Sequence, residues 1–153
     1  MKSIGKAIIG IVIGVALTGC AASGPKYKEM EKSVPSLQAN QGRVFFLRED
    51  TFVGGGLRPD IKFDDAVVGV SKPGGFFYID AAPGPHKVST ATEMENKLTF
   101  VLDAGETKYV KTSVSMGILV GHVVPELISV NDAEKVLPDL SYIGTQGESG
   151  HAK

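Results

Sequence analysis

Between Gly42 and Val114 the chain repeats one pattern. A short run rich in β-branched and aromatic residues is followed by a cluster of Gly, Pro, Asp or Ser. The runs are Arg43–Arg48, Ile61–Phe63, Ala66–Val70, Phe76–Asp80, His86–Ala91, Leu98–Leu102 and Thr107–Val114. The breaks include Asp64-Asp65, Ser71–Gly75, Ala82–Pro85 and Asp103–Glu106. Such runs have the length and composition of strands, and such breaks have turn chemistry. No segment with helical periodicity is long enough for an α/β fold. The expectation is an all-β domain over residues 42–143, a small antiparallel β-sandwich or open barrel with a short C-terminal helix.

Individual runs carry more detail. Arg43–Arg48 is apolar on both faces, which suits a central strand. Alternation puts His86, Val88 and Thr90 on one face of their run, and Leu98, Phe100 and Leu102 on one face of theirs. Thr107–Val114 reads as an edge-compatible strand, with its lysines as gatekeepers against aggregation. Met116–Val124 is strongly apolar, is limited by Pro125, and extends beyond a kink through Glu126–Val130. Asn131-Asp132 is expected to cap a helix from Ala133 to Leu137, ended by Pro138. Residues 144–153 are Gly, Ser, Gln and charge, the composition of a disordered tail.

A different signal precedes the domain. Lys2 and Lys6 lead into an apolar run from Ala7 to Leu17, which closes on Leu17-Thr18-Gly19-Cys20. That run has the roughly 7–15 residues of a secretory signal and falls short of the roughly 20 that cross a bilayer as a helix. The segment resembles a bacterial lipoprotein signal peptide with its lipobox. The resemblance implies cleavage between Gly19 and Cys20, a diacylglycerol on the Cys20 sulfur and further acylation of the new amino end. Two or more acyl chains hold a protein stably where one holds it only marginally. Ala21 stands where an aspartate favours retention in the inner membrane, so the outer membrane is the expected destination. Residues 20–41, polar and broken by Pro25 and Pro35, read as a flexible tether. Lys28–Lys32 is capable of a short helical turn.

Loss of residues 1–19 would remove Lys2 and Lys6, leaving fourteen basic against seventeen acidic residues, a formal −3. That balance offers no electrostatic footprint for nucleic acid. With Cys20 lipidated no thiol remains, so the domain must rest on its apolar core rather than on disulfides.

The order of motifs is familiar. Gly42-Arg43-Val44-Phe45-Phe46-Leu47-Arg48, Ile61-Lys62-Phe63-Asp64-Asp65, Val68-Gly69, Gly75-Phe76-Phe77-Tyr78-Ile79 and Pro83-Gly84-Pro85-His86-Lys87-Val88 resemble the bacterial lipoprotein family called domain of unknown function 2846. Ala104–Val110 is similar to that family's Gly-x-x-Tyr-Tyr-Val strand, with Lys108 replacing the first tyrosine. The likeness runs from about Gly42 to Leu137. Its middle also resembles the PEGA-type β-sandwich repeat, which implies surface display or binding by analogy alone. These motifs are mostly turn chemistry, and the family supplies no catalytic residue to carry over.

The chemistry-bearing residues point the same way. His86, His122 and His151 are the only histidines, and none has a second ligand at metal-site spacing. His86 is expected to bond locally at the start of a strand, and His122 to be a satisfied core or edge residue. Asp60, Asp64 and Asp65 read as a polar hairpin turn rather than a calcium loop. Gly54-Gly55-Gly56 lacks the following helix that a phosphate loop needs, because Leu57-Arg58-Pro59 blocks it. No serine sits in a nucleophile elbow. Function concentrates on loops, so Phe52, Val53, Gly54, Gly55, Gly56, Leu57 and Arg58 form the expected partner-contact loop. The resulting expectation is a non-catalytic, membrane-anchored envelope module, with no catalytic residues, metal or cofactor, that binds an envelope protein or peptide. The alternative is a module for a glycan or lipid ligand, using exposed rings such as Phe76, Tyr78 or Tyr109. An enzyme is the third reading.

Overall fold

Arg43–Arg48 is buried along its whole length because it is the middle strand of a sheet covered on both sides. The computed structural model describes residues 22–117 and 121–145. In chain order the elements are a short helix α1 (Tyr27–Met30), a 3₁₀ turn (Glu31–Ser33), then β1 (Gly42–Arg48), β2 (Asp60–Phe63), β3 (Ala66–Val70), β4 (Gly75–Ala81), β5 (Gly84–Ala91), β6 (Glu95–Leu102), β7 (Thr107–Ser115) and β8 (His122–Ile128). Helix α2 (Val130–Val136), a 3₁₀ turn (Leu137–Asp139) and β9 (Ser141–Tyr142) complete it. One sheet has the order β8-β7-β1-β4-β9 and the other β3-β2-β5-β6.

The sandwich expectation holds, with one refinement. The four-stranded sheet is antiparallel throughout, but β1 pairs parallel with β7 and β4 pairs parallel with β9. Parallel neighbours need a long crossover. The chain makes the β1-to-β7 crossover by visiting the opposite sheet twice. This placement corrects the edge reading of Thr107–Val114: β7 lies inside its sheet, between β1 and β8. Its lysines are compatible with an interior strand because their charged ends reach partners at the surface. Lys111 approaches Glu49 and Glu126, each at 3.7 Å, while its stem covers the sheet. Beside β7 the sheet ends at β8, which continues past Pro125 to Ile128 as expected; an edge position permits this proline.

The pleat divides β1 between two cores. Val44 and Phe46 point into the layer between the sheets with Phe77, Val110, Ile61, Phe63, Val88, Phe100 and Leu102. Phe45 and Leu47 point to the other side, where Phe76, Ala133, Leu137 and Leu140 form a second cluster. Tyr27 joins that cluster edge-on to Phe45 and Phe76, with ring centroids 5.9 and 5.5 Å away. Burying rings of this size is worth roughly 1.5–3 kcal/mol each.

The docking of Tyr27 corrects the tether reading over its described part. The Ala22 N–H donates to Pro73 O, the Tyr27 N–H donates to Leu140 O, and Lys26 bridges to Ser141. Lys28 pairs with Asp139 at 2.8 Å. Tyr27 and these bonds together lay residues 22–30 against the domain. Helix α2 also differs from its expected start. Its N-cap is Ser129, whose Oγ accepts the Asp132 N–H, not Asn131-Asp132. Serine three residues ahead of a carboxylate is a capping arrangement. Most of the expected tail lies outside the described residues.

Candidate functional site

The loop between β1 and β2 is shaped by a buried cation. Arg48 ends β1 on the face toward the opposite sheet and is 3% exposed. Its guanidinium donates to Leu57 O at 2.6 Å, Gly54 O at 2.7 Å, Ser71 O at 2.9 Å and Ser71 Oγ at 3.1 Å. Arginine can only donate, so Ser71 Oγ accepts from it and keeps its own proton for Thr112 Oγ1, 2.8 Å away. Thr112 in turn donates to Leu47 O at 3.4 Å. Burial, with Arg58 nearby, pulls the Arg48 pKa below the ordinary guanidinium value. The charge is held by carbonyl dipoles.

This clamp fixes the backbone of the expected contact loop. Gly54 adopts φ +75°, and a Cβ there would lie 2.5 Å from Val114 Cγ2, so only glycine fits. Leu57 and Val114 both lie beside Gly121. Phe52 and Val53 project outward from this held frame, 104% and 58% exposed. Gly56 and Arg58 are also exposed, while Gly55 and Leu57 are partly covered. The loop therefore presents two apolar side chains on a fixed backbone.

The same end of the sandwich gathers other exposed apolar residues. Arg48 pairs with Gly75, Ser115 with His122, and Thr90 lies opposite Ile61 just after that loop. Met116 follows Ser115 and is 82% exposed; Met94, in the β5–β6 turn, is 63% exposed. Ala22 reaches this end too, through Pro73, and Gly24 lies against Tyr142.

The opposite end holds a polar cluster. Asp64 and Asp65 make the β2–β3 turn with φ 49° and 70°, a conformation aspartate tolerates better than most residues. His86 lies between Phe63 and Phe100. Its Nδ1 meets Asp64 Oδ2 and its Nε2 meets Ala82 O, both at 2.7 Å. Asp64 Oδ1 accepts the Lys87 N–H at 2.9 Å. Burial pushes the Asp64 carboxyl upward, but the Lys87 N–H and the His86 ring outweigh it and hold it below the usual carboxylate range. Asp65 pairs with Lys87. These groups border a shallow, open depression of about 590 Å³ with Pro85, Thr99, Phe100 and Val101.

Other expected positions fall elsewhere. Phe76 is fully buried. Tyr109 stacks on Phe45 at 5.5 Å, and the Arg43 guanidinium covers Tyr78 at 4.7 Å. Phe76 is a core element, and Tyr78 and Tyr109 are half-buried against the same cluster. Arg43 itself grips Asp80 with two bonds of 2.6 and 2.8 Å and donates to Pro35 O. His122 sits on the edge strand, but its buried Nδ1 has no partner among the described residues, contrary to a satisfied histidine. No group of three potential metal ligands occurs among the described residues. No described helix is long and apolar enough to cross a membrane. Gly19, Cys20 and His151 lie outside the described residues. The Arg48 clamp was missed at the sequence level. Its signal was a charged residue ending a strand buried on both faces.

These features define a small two-sheet β module with helices covering the outer face of one sheet. The family model for protein of unknown function DUF2846 matches residues 38–123, and the chain belongs to that family. The matched region spans β1 to the start of β8 and includes the Arg48 clamp and the His86 cluster. The chain is also 29% identical over 137 residues to an uncharacterised protein of Haemophilus influenzae (strain ATCC 51907 / DSM 11121 / KW20 / Rd), covering 85% of this chain and 80% of that one. No solved structure matches the chain.

Proposed function

We propose that this chain is a bacterial lipoprotein, anchored through Cys20 to the outer membrane, whose sandwich serves as a non-catalytic binding or structural module of the cell envelope. The observation that carries this reading is the position of Cys20. It closes a basic-then-apolar leader and stands two residues ahead of Ala22, where the chain docks on the domain. Cleavage before Cys20 leaves the docked segment, both apolar clusters and the Arg48 clamp in one piece. The fixed loop supports a contact role, because Phe52 and Val53 are presented without needing to be ordered on binding. An envelope protein or peptide is the partner class this reading implies.

Metabolic labelling with a palmitate analogue, comparing the full chain with Cys20→Ala and followed by membrane fractionation, tests the anchor. Label and outer-membrane location should both be lost in the variant. A chain that is unlabelled and soluble in both forms would overturn the reading.

A further inference from the structure

We propose that the end of the sandwich carrying Phe52, Val53 and Met116 rests in the surface of the membrane that holds the anchor. The inference depends on lipidation at Cys20 and adds an orientation and a second, non-covalent contact to it.

Chain length limits how far the domain can stand from the bilayer. Ala22 is already fixed to the domain, with its N–H 3.3 Å from Pro73 O. Pro73 belongs to the turn between β3 and β4, at the end where Asp50 lies against Gly74. An extended chain advances at most about 3.6 Å per residue, so Cys20 reaches no further than about 7 Å from Ala22. A linker that short cannot hold the domain away from the bilayer. Acyl chains on Cys20 enter the membrane beside the β3–β4 turn and bring that end of the sandwich to the headgroups.

That end is apolar at its tips. Phe52 is fully exposed, Met116 is 82% exposed and Val53 is 58% exposed. The Arg48 clamp and the tight seat of Gly54 on Val114 hold the loop out, so Phe52 and Val53 cannot turn inward by collapse of the loop. Apolar tips on a rigid frame, set beside a lipid attachment point, match the chemistry of a headgroup–acyl boundary. Charge does not supply the attraction. Arg58 and Lys72 at this end are outnumbered by Glu49, Asp50, Asp60 and Glu93. Contact is therefore apolar in origin and gains nothing from anionic lipid.

The test uses the full chain, purified in lipidated form and reconstituted in phosphatidylcholine vesicles. Lipidation consumes Cys20, so one introduced cysteine is the sole thiol. An environment-sensitive fluorophore is placed in turn at Val53→Cys, Ser115→Cys and, at the far end, Ala104→Cys. Probes at 53 and 115 should shift to the blue, brighten several-fold and be quenched by nitroxide-bearing lipid. The probe at 104 should behave as in water. Adding phosphatidylglycerol should strengthen none of these signals. Phe52→Asp combined with Met116→Asp should return the probe at 53 to the aqueous signal. Mass spectrometry of the Cys20 peptide is read on the same preparation. Aqueous signals at 53 and 115 on a lipidated chain would overturn the inference, leave the anchor standing and return this end to a protein partner. A persistent shift in the double variant would also overturn it. An unmodified Cys20 on a chain that does not float with the vesicles would overturn both the inference and the anchor.

Discussion

The two ends of the sandwich solve opposite problems with similar parts. At the Phe52 end, a buried arginine is spent on backbone carbonyls, and what faces outward is apolar. At the His86 end, polar and charged groups are spent on one another. His86 meets Asp64, Lys87 meets Asp65 and Lys108 meets Glu106, and the outward face is polar and balanced. A surface cluster of matched charges stays in water at little cost, because exposed pairs are worth under about 1 kcal/mol and need nothing else. An apolar tip on a clamped loop is different. It remains exposed in water, and it is held out by a buried cation that has to be fully satisfied. The difference teaches where to look for a contact: at the end where the fold maintains exposed apolar groups, not at the end with the most titratable groups.

Removing Arg48 should break that comparison most severely. Arg48→Ala leaves two loop carbonyls, Ser71 O and the Ser71 hydroxyl without their donor, and buried groups left unpaired cost roughly 1–3 kcal/mol each. We expect a loss of about 3 kcal/mol or more by urea unfolding. Arg48→Lys should lose less but remain destabilised, because an ammonium lacks the planar fork. Arg58→Ala, at an exposed site, should stay within about 0.5 kcal/mol of the parent. Equal losses for Arg48→Ala and Arg58→Ala would remove the clamp from the account.

Tyr27 tests the anchor side of the same end. Tyr27→Ala opens a gap beside Phe45 and Phe76 and should cost about 2 kcal/mol. It should also speed tryptic cleavage after Lys26, Lys28 and Lys32. That would convert the docked segment into the free tether its composition suggests. Cleavage at the parental rate would show that the Lys26 and Lys28 contacts suffice without the ring.

The smallest effect belongs to the polar end. The folded state holds the Asp64 carboxyl below its ordinary value of 3.8. Its contribution is therefore present above that value and is lost as pH falls through the folded pKa. Asp64 is half-exposed, so solvent screening keeps the contribution under about 1 kcal/mol. Asp64→Asn keeps the φ 49° turn accessible and should flatten the fall in stability below about pH 4. An unchanged acid profile would place that sensitivity on other carboxylates.

Local chemistry was legible in the sequence, and long-range pairing was not. Strand alternation and turn residues are local, so the β2–β3 hairpin at Asp64-Asp65, the inward faces of β5 and β6, and the central position of β1 could be read directly. The parallel pairing of β1 with β7 joins Phe45 to Tyr109, a separation that no local pattern reports. It is also why two lysines suggested an edge in a strand that lies inside its sheet. No local pattern marks Tyr27 for burial, because its pocket is assembled from β1, β4 and residues after Ile128. At the loop from Phe52 to Arg58, the sequence marks apolar residues beside three glycines, but the Arg48 donors that hold Gly54 and Leu57 become visible only once β1 and the loop are set side by side.

The orientation of the domain on the bilayer is the central claim, and neutron reflectometry on a supported bilayer carrying the lipidated chain addresses it directly. The account predicts protein density that begins within the headgroup layer, with no hydrated gap beneath it. A water-filled gap between the headgroups and the protein would contradict it, because it would show that the domain stands off the membrane on a free tether and that the Phe52 end faces something other than lipid.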